Sequence, residues 1–151
     1  MRVNRTLSAA PLLALLLTAC SGGSVAPRFQ VISARTAERT DEGVRIEITI
    51  VGENPNDHEL ELGEAKYAVT ANGSTIYSGA ASPETTLPRY GRVEMILPAA
   101  VPLPNFPAGT DAIAINGWIE YLPPGPFAEL LYDAGLRRPT SSVDGSTSLT
   151  P

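Results

Sequence analysis

The chain has 151 residues, of which 43% are hydrophobic, 18% charged and 6% aromatic, a composition that suits one folded domain and not a disordered chain. Eleven lysines and arginines against sixteen acidic residues give a net charge of −5, which excludes the basic surface that nucleic-acid binders need. One histidine and one cysteine are too few for a zinc site or a disulfide framework within one chain. The 13 glycines and 14 prolines favour many short strands over a helical bundle.

The N-terminal segment has the pattern of a secretory signal peptide. Arg2 and Arg5 precede an apolar stretch, Ala9–Ala19, which is too short to remain as a membrane-spanning helix. The stretch ends in Leu17-Thr18-Ala19-Cys20, which resembles the bacterial lipoprotein box, a branched apolar residue and two small residues before a cysteine. The alternative is an ordinary secreted protein in which the cysteine follows the apolar stretch by chance.

The resemblance to a lipoprotein signal implies that residues 1–19 are removed and that Cys20 carries diacylglycerol and an acylated amine. Several acyl chains anchor a protein stably in a membrane. Under the usual sorting rule for such lipoproteins, a residue other than aspartate after the cysteine, here Ser21, favours the outer membrane. We therefore expect a lipid-anchored protein of the bacterial envelope that faces the periplasm.

After cleavage, residues 20–27 would form a short tether rich in glycine and serine, followed by one domain at residues 28–150. Cleavage removes two basic residues and no acidic one, so the mature chain would carry a charge of −7. We expect an acidic domain of this kind to stand off from an anionic bilayer rather than lie on it.

The domain begins with alternating polar and apolar residues. Phe29–Ala34 opens a first strand, and Val44–Ile50 places aliphatic side chains on one face and polar ones on the other, as in an antiparallel sheet with one buried face. Asp41-Glu42-Gly43 is typical of the turn between them. Asn54-Pro55-Asn56-Asp57 ends the second strand, because proline lacks a ladder donor and asparagine side chains bond nearby backbone groups.

A hairpin of two strands and one further strand follow. Tyr67–Ala71 and Ser74–Ser78 flank Asn72-Gly73, which predicts a two-residue type I′ turn. Arg92–Leu97 predicts another strand that ends at Pro98. Ala99–Gly109 contains three prolines and is expected to be irregular or extended.

The C-terminal third combines a strand with a helix. Ala112–Leu122 predicts a long strand, with Gly117 where a bulge or a close backbone approach is expected. Phe127–Ala134 predicts a short helix whose apolar residues share one face, with Gly135 just past its end; one more strand is the alternative. Ser142–Leu149 predicts an edge strand before a loose end.

Six or seven short strands with one C-terminal helix predict an all-β fold, an immunoglobulin- or fibronectin-like antiparallel β-sandwich. The Cys…Trp…Cys spacing of a true immunoglobulin domain is absent from the sequence.

The order of several short motifs resembles one family. They are Asn54-Pro55-Asn56, Tyr67-Ala68-Val69, Asn72-Gly73, Ser78-Gly79, Val93–Pro98 and Gly117. In this order they resemble the WHy domain (water stress and hypersensitive response) of the group 2 late embryogenesis abundant proteins, over Phe29–Tyr121. The resemblance implies a seven-stranded sandwich with a helix, a link to desiccation and stress tolerance, and no catalytic residues.

We predict a structural role for Asn54, Pro55 and Asn56. The strand before them must reverse sharply, and the asparagine side chains can pair backbone groups that the ended ladder leaves free. Replacing both asparagines with alanine should cost about 1–3 kcal/mol of stability.

His58 lies between Asp57 and Glu59 and could act as a metal ligand or a pH-sensitive group. The chain offers no second histidine for a transition-metal site, and Asp57, Glu59 and Glu61 lack the spacing of a calcium loop. We therefore predict a solvated loop histidine, with no metal and no cofactor.

Trp118 lies on the strand face opposite Ile115 and Ile119 and is a candidate contact for a protein partner. The alternative is that the proline-rich segment Ala99–Gly109 covers the sheet edge there.

The sequence contains no Gly-x-Ser-x-Gly, phosphate-binding or dinucleotide-binding motif, and no nucleophile–base pair is visible, so we do not expect an enzyme. Two functions remain. The first is a membrane-tethered, non-catalytic stress-protection protein that shields envelope components or client proteins. The second is an envelope lipoprotein that serves as a binding or assembly accessory for a protein partner, through an open sheet edge or Trp118.

Overall fold

The computed structural model describes residues 24–151; the predicted signal peptide and Cys20 lie outside the described residues. The strands are β1 (Arg28–Arg39), β2 (Gly43–Glu53), β3 (Leu60–Ala71), β4 (Ser74–Ala81), β5 (Thr86–Leu87), β6 (Arg92–Pro102), β7 (Ala112–Leu122) and β8 (Thr140–Thr150). A 3-10 turn spans Leu103–Asn105, and helix α1 spans Pro126–Asp133. Within residues 24–151, no helix combines the length and apolar character needed to cross a membrane.

The strands form one sheet in the order β4-β3-β7-β8-β1-β2-β6, with β5 paired to β3. The β1–β8 pair is parallel, whereas the other pairs are antiparallel. The predicted β-rich chain with one short helix is confirmed, but the prediction of a purely antiparallel sheet was wrong. The immunoglobulin or fibronectin arrangement is not confirmed. Alternation within a strand reports which face is buried and carries no information on the direction of its neighbour.

The sheet curls around its core. β3 and β6 are far apart in the strand order, yet the Tyr67 hydroxyl of β3 donates a hydrogen bond to the Pro98 carbonyl of β6. Burial raises the pKa of Tyr67, so the phenol keeps the proton that this bond requires. The curl encloses fully buried aliphatic side chains from six strands: Ile46, Ile48, Ile50, Leu60, Val69, Leu87, Leu97, Ile113, Ile119 and Val143.

Several local predictions are confirmed. The alternation of Val44–Ile50 matches the alternating burial of β2. Asn72 and Gly73 have φ angles of 49° and 79°, the positive values of a type I′ turn. A Cβ at Gly117 would lie 2.3 Å from the Lys66 carbonyl oxygen, so the expected close approach is present. α1 begins one residue earlier than predicted and ends before Gly135, whose φ is 68°.

Two predictions about individual strands were wrong, one about the end of β6 and one about the place of β8 in the sheet. β6 continues through Pro98 to Pro102, which proline permits because β6 is an edge strand with no partner on one side. The segment predicted as an edge strand is β8, which lies between β7 and β1. Small residues allow this position, since a Cβ at Gly145 would lie 2.8 Å from the Val31 side chain.

Candidate functional site

The turn after β2 is organised around the buried side chain of Asn54, which is 1% exposed. Its amide nitrogen Nδ2 donates hydrogen bonds to the carbonyls of His58 at 2.7 Å and Leu87 at 3.2 Å. Its Oδ1 accepts hydrogen bonds from the main-chain and side-chain nitrogens of Asn56, at 3.0 and 2.8 Å. One side chain therefore closes the turn and ties it to β5.

Asn56 extends this network to the segment that precedes β1. Its Oδ1 accepts a hydrogen bond from the Val25 main-chain nitrogen at 2.8 Å, and its Nδ2 donates one to the Val25 carbonyl, also at 2.8 Å. The Asn56 carbonyl accepts a hydrogen bond from the Tyr90 nitrogen at 2.9 Å. The side chain of Asn56 thus pairs with the main chain of Val25 and fixes the point at which the chain enters the domain.

The entering chain is held on a second side by β8. Pro27 is buried, and its carbonyl accepts a hydrogen bond from the Ser141 hydroxyl at 2.6 Å. Pro55 is half-buried between the two asparagines. Asn54 and Asn56 therefore pair main-chain groups at the reversal after β2, and Asn56 also holds Val25, which no local sequence pattern indicated. The structural role of the motif stays a prediction.

His58 lies beside this turn and has modest contacts. Its Nδ1 lies 2.9 Å from an Asp57 oxygen and its Nε2 lies 3.3 Å from the Ser24 hydroxyl. Glu59 is exposed. Among the residues that the structure describes, no group of three or more histidine, cysteine and acidic side chains is placed to hold a metal ion.

Trp118 is half-buried on the outer face of the sheet. The Lys66 ammonium lies 5.2 Å from the centroid of the indole ring, a cation–π distance. An open groove of about 500 Å³ lies beside the ring, with small residues such as Ala68 and Gly79 in its walls. The proline-rich segment contacts the β1–β2 turn, where the Leu103 nitrogen donates a hydrogen bond to the Glu42 carbonyl.

Glu120 alternates along β7 with the same spacing as Trp118, which is typical of a solvent-facing residue, but the structure buries it, at 7% exposure. The Tyr132 hydroxyl of α1 donates a hydrogen bond to Glu120 Oε2 at 3.1 Å, and Arg138 Nη1 lies 4.0 Å from the same oxygen. Burial, and then the bond to Glu120, raise the pKa of Tyr132. A Cβ at Gly63 would lie 2.0 Å from the Tyr132 hydroxyl, so glycine leaves the room for this contact. No sequence signal linked these residues.

Part of the chain is similar to a known protein family. Residues 49–121 match the family model LEA_2, described as late embryogenesis abundant protein, a range that includes the Asn54-Pro55-Asn56 turn. No curated protein matches the chain significantly.

Solved structures show the same fold at low identity. The solution structure of AT1g01470 from Arabidopsis thaliana has a TM-score of 0.58 and 15% identity over 85% of each chain. The solution structure of At2g46140.1, described as a late embryogenesis abundant (LEA) protein, has a TM-score of 0.54 and 19% identity over 83% of this chain and 72% of that chain. The X-ray structure of the structural genomics target SoR45 has a TM-score of 0.55 and 14% identity over 83% of this chain and 87% of that chain. Together with the matching family model, this fold supports an LEA_2-type domain in this chain.

Proposed function

We propose that the chain is a membrane-tethered, non-catalytic lipoprotein of the WHy type, anchored through Cys20 in the bacterial envelope, in the outer membrane facing the periplasm. Its function would be protection of envelope components or client proteins during desiccation and related stress. The LEA_2-type domain supports the stress-related role, and the lipoprotein box at Leu17–Cys20 supports the anchor.

The observation that carries this proposal is the pairing of Asn56 with Val25. Val25 is five residues from Cys20, a span of at most about 18 Å for an extended chain. Because Asn56 binds the main chain at Val25, the folded domain would be held close to the lipid attached to Cys20. The proposed tether would therefore be short.

The interior of the domain suits a protein that must keep its fold while water is withdrawn. Within residues 24–151, no buried side-chain nitrogen or oxygen lacks a hydrogen-bond partner. The buried asparagines of the turn bond only to protein groups in these contacts. Buried polar groups that are paired within the protein need no water as a partner, which suits a domain proposed to act during water loss.

The anchor is tested by Cys20→Ala, with Ser21→Ala as a matched control. Without the thiol no diacylglyceryl chain can be attached, so Cys20→Ala should remain uncleaved or leave the membrane fraction, whereas Ser21→Ala should fractionate like the wild type. A Cys20→Ala protein that is still mature and still requires detergent for extraction would contradict the lipoprotein assignment.

The protective role is tested by drying a desiccation-sensitive enzyme with the purified mature protein and measuring the activity recovered on rehydration. We expect recovery above that given by an equal mass of an unrelated folded protein. The Asn54→Ala/Asn56→Ala variant, assayed well below its own melting temperature, should protect like the wild type. Loss of protection by a variant that is still folded would identify the turn as a contact site and not a structural element.

The alternative function, a binding or assembly accessory, is favoured by one feature, the open groove beside Trp118. An aromatic side chain next to a groove walled by small residues could receive a partner side chain. If this function is correct, the wild type should retain one stoichiometric envelope protein that Trp118→Ala loses. Ile96→Ala, which removes an exposed apolar side chain from β6, serves as the control and should retain it.

A further inference from the structure

The exposed apolar side chains of the domain are concentrated at one end. Among residues 24–151, seven large hydrophobic side chains are exposed. Five of them belong to segments at the end of the sheet where the chain enters, namely the residues before β1, the loop before β6, and α1 with the turn after it. These five are Val25, Tyr90, Phe127, Leu130 and Leu136, with exposed fractions of 54%, 72%, 72%, 63% and 76%. We refer to this set as the entry face.

Hydrogen bonds through Asn56 link Val25 and Tyr90, and a shared cleft places Phe127 near the residue before Val25. The Tyr90 nitrogen donates to the Asn56 carbonyl, and the Asn56 side chain pairs with Val25. The neighbouring residue, Ser24, lines a cleft of about 200 Å³ together with Phe127 of α1. Tyr90 has a φ angle of 50°, a conformation that non-glycine residues adopt at a cost and that often accompanies a functional surface.

Helix α1 presents two of its large apolar side chains, Phe127 and Leu130, to solvent. None of its residues is buried, although the sequence gives it an apolar face that a helix of a globular domain would normally pack against the core. Its attachment to the sheet includes the bond from Tyr132 to Glu120. Phe127 and Leu130 are three residues apart and therefore share one side of the helix, and this side is exposed.

We infer that the entry face contacts the phospholipid bilayer in which Cys20 is anchored, so that the domain lies against the membrane in one orientation. The inference rests on the proposed lipid anchor. Val25 is itself part of the face and can be no more than about 18 Å from Cys20 along an extended chain. A lipid surface is therefore the apolar partner that the tether would bring within reach, and aromatic side chains such as Phe127 and Tyr90 suit the membrane interface.

The local charge permits this contact despite the acidic character of the whole chain. From α1 to the start of β8, Glu129 and Asp133 are balanced by Arg137 and Arg138. The expectation that the acidic domain stands off from the bilayer was based on net charge alone. The acyl chains would supply most of the affinity, so the entry face would set the orientation of the domain and not its retention.

The test uses tryptophan as a depth probe in the lipid-anchored protein. The chain has one tryptophan, so Trp118→Phe with Phe127→Trp places the only probe on the entry face. Trp118→Phe with Ala108→Trp places it in the exposed loop after β6, at the opposite end of the sheet. Both proteins are reconstituted into phosphatidylethanolamine–phosphatidylglycerol vesicles that contain brominated lipid, a quencher of tryptophan emission in the acyl region.

We expect severalfold stronger quenching and a blue-shifted emission for the probe at position 127, and neither for the probe at position 108. Adding Leu130→Ser and Leu136→Ser should reduce quenching at position 127 severalfold while the protein still floats with the vesicles. Equal quenching at the two positions, or none at position 127, would overturn the inference. A blue-shifted probe at position 127 without lipid, in a protein that sediments as a dimer, would assign the face to a second copy and also overturn it.

Flotation separates this inference from the proposed function. If the cellular protein carries no lipid, the proposed anchor fails, and the Cys20 thiol of the mature chain is then coupled to a maleimide lipid and the quenching repeated. Quenching at position 127 under these conditions would show a lipid-contacting face in a protein that lacks a natural anchor. Absence of quenching there would overturn the inference by itself.

Discussion

The domain uses asparagine in two turns and in two different ways. In the turn after β2, Asn54 and Asn56 are 1% and 7% exposed, and their side chains bond to Leu87 and Val25, which are 33 and 31 residues away in sequence. In the β3–β4 turn, Asn72 is exposed and has a φ angle of 49°. The first turn depends on tertiary hydrogen bonds, and the second depends on the local backbone.

The difference shows that asparagine can contribute very different amounts of free energy to the stability of a turn, depending on whether its side chain is buried. A buried amide leaves its partners unpaired when it is removed, and each unpaired group costs about 1–3 kcal/mol. An exposed asparagine in a left-handed conformation contributes only its tolerance of that conformation, a term near 1 kcal/mol. Substitutions in the two turns should therefore separate clearly.

The largest effect is expected for Asn54→Ala. The substitution removes the donor to the Leu87 and His58 carbonyls and the acceptor for the Asn56 main-chain nitrogen. Because these groups are shielded from water, we expect a loss of about 2–3 kcal/mol in the free energy of unfolding, measured by urea denaturation. A loss no greater than that of Asn72→Ala would remove the distinction between the two turns.

A smaller and more local effect is expected for Asn56→Ala. Its two bonds to Val25 hold the entering chain, and the main chain of Val25, whose side chain is exposed, can form hydrogen bonds to water when released. We expect a loss of about 1–2 kcal/mol. Hydrogen exchange of the Val25 amide should accelerate strongly while amides in the centre of β2 change only in line with global stability. Unchanged protection of the Val25 amide would show that the pairing is not maintained in solution.

The same contrast explains what the sequence could and could not predict. The Asn72-Gly73 turn, the alternation of β2 and the helix near Phe127–Ala134 are local patterns, and each was predicted correctly. The pairing of Asn56 with Val25 joins residues 31 positions apart, and nothing in either segment indicates the other. The sequence predicted a structural role for Asn54, Pro55 and Asn56, which the asparagine substitutions test, but it did not indicate that Asn56 pairs with Val25.

The incorrect expectations for β8 and Glu120 have the same origin, a contact with residues distant in sequence. β8 carries a polar, serine- and threonine-rich sequence that is typical of an edge, but small residues such as Gly145 let it pack between β7 and β1. Glu120 alternates like a solvent-facing residue and is buried because α1 folds back over it through Tyr132. In both cases a neighbour that is distant in sequence decides the environment.

In the β3–β4 turn, Asn72→Ala tests only the free-energy cost of a positive φ angle at this position. Alanine lacks the tolerance of asparagine for a positive φ, so we expect a loss of about 1 kcal/mol in unfolding free energy. Asn72→Gly should lie within about 0.5 kcal/mol of the wild type, because glycine adopts this conformation freely. If Asn72→Gly is as destabilising as Asn72→Ala, the side chain of Asn72 makes a contact that the backbone argument omits.

The smallest effect is expected for alanine at Asp57, His58 and Glu59 together, although these residues directly follow the buried asparagines. Asn54 bonds to the main-chain carbonyl of His58, which alanine retains. Among the residues that the structure describes, the imidazole has two polar contacts, the Ser24 hydroxyl at 3.3 Å and Asp57, whose side chain is 78% exposed. Solvent-facing substitutions of this kind change stability by less than about 0.5 kcal/mol.

The triple variant should melt and protect a dried client enzyme like the wild type, and added zinc or calcium should shift neither melting curve. A loss of protection with an intact fold, or a metal-dependent shift that the variant abolishes, would instead assign these three side chains to a ligand site beside the turn.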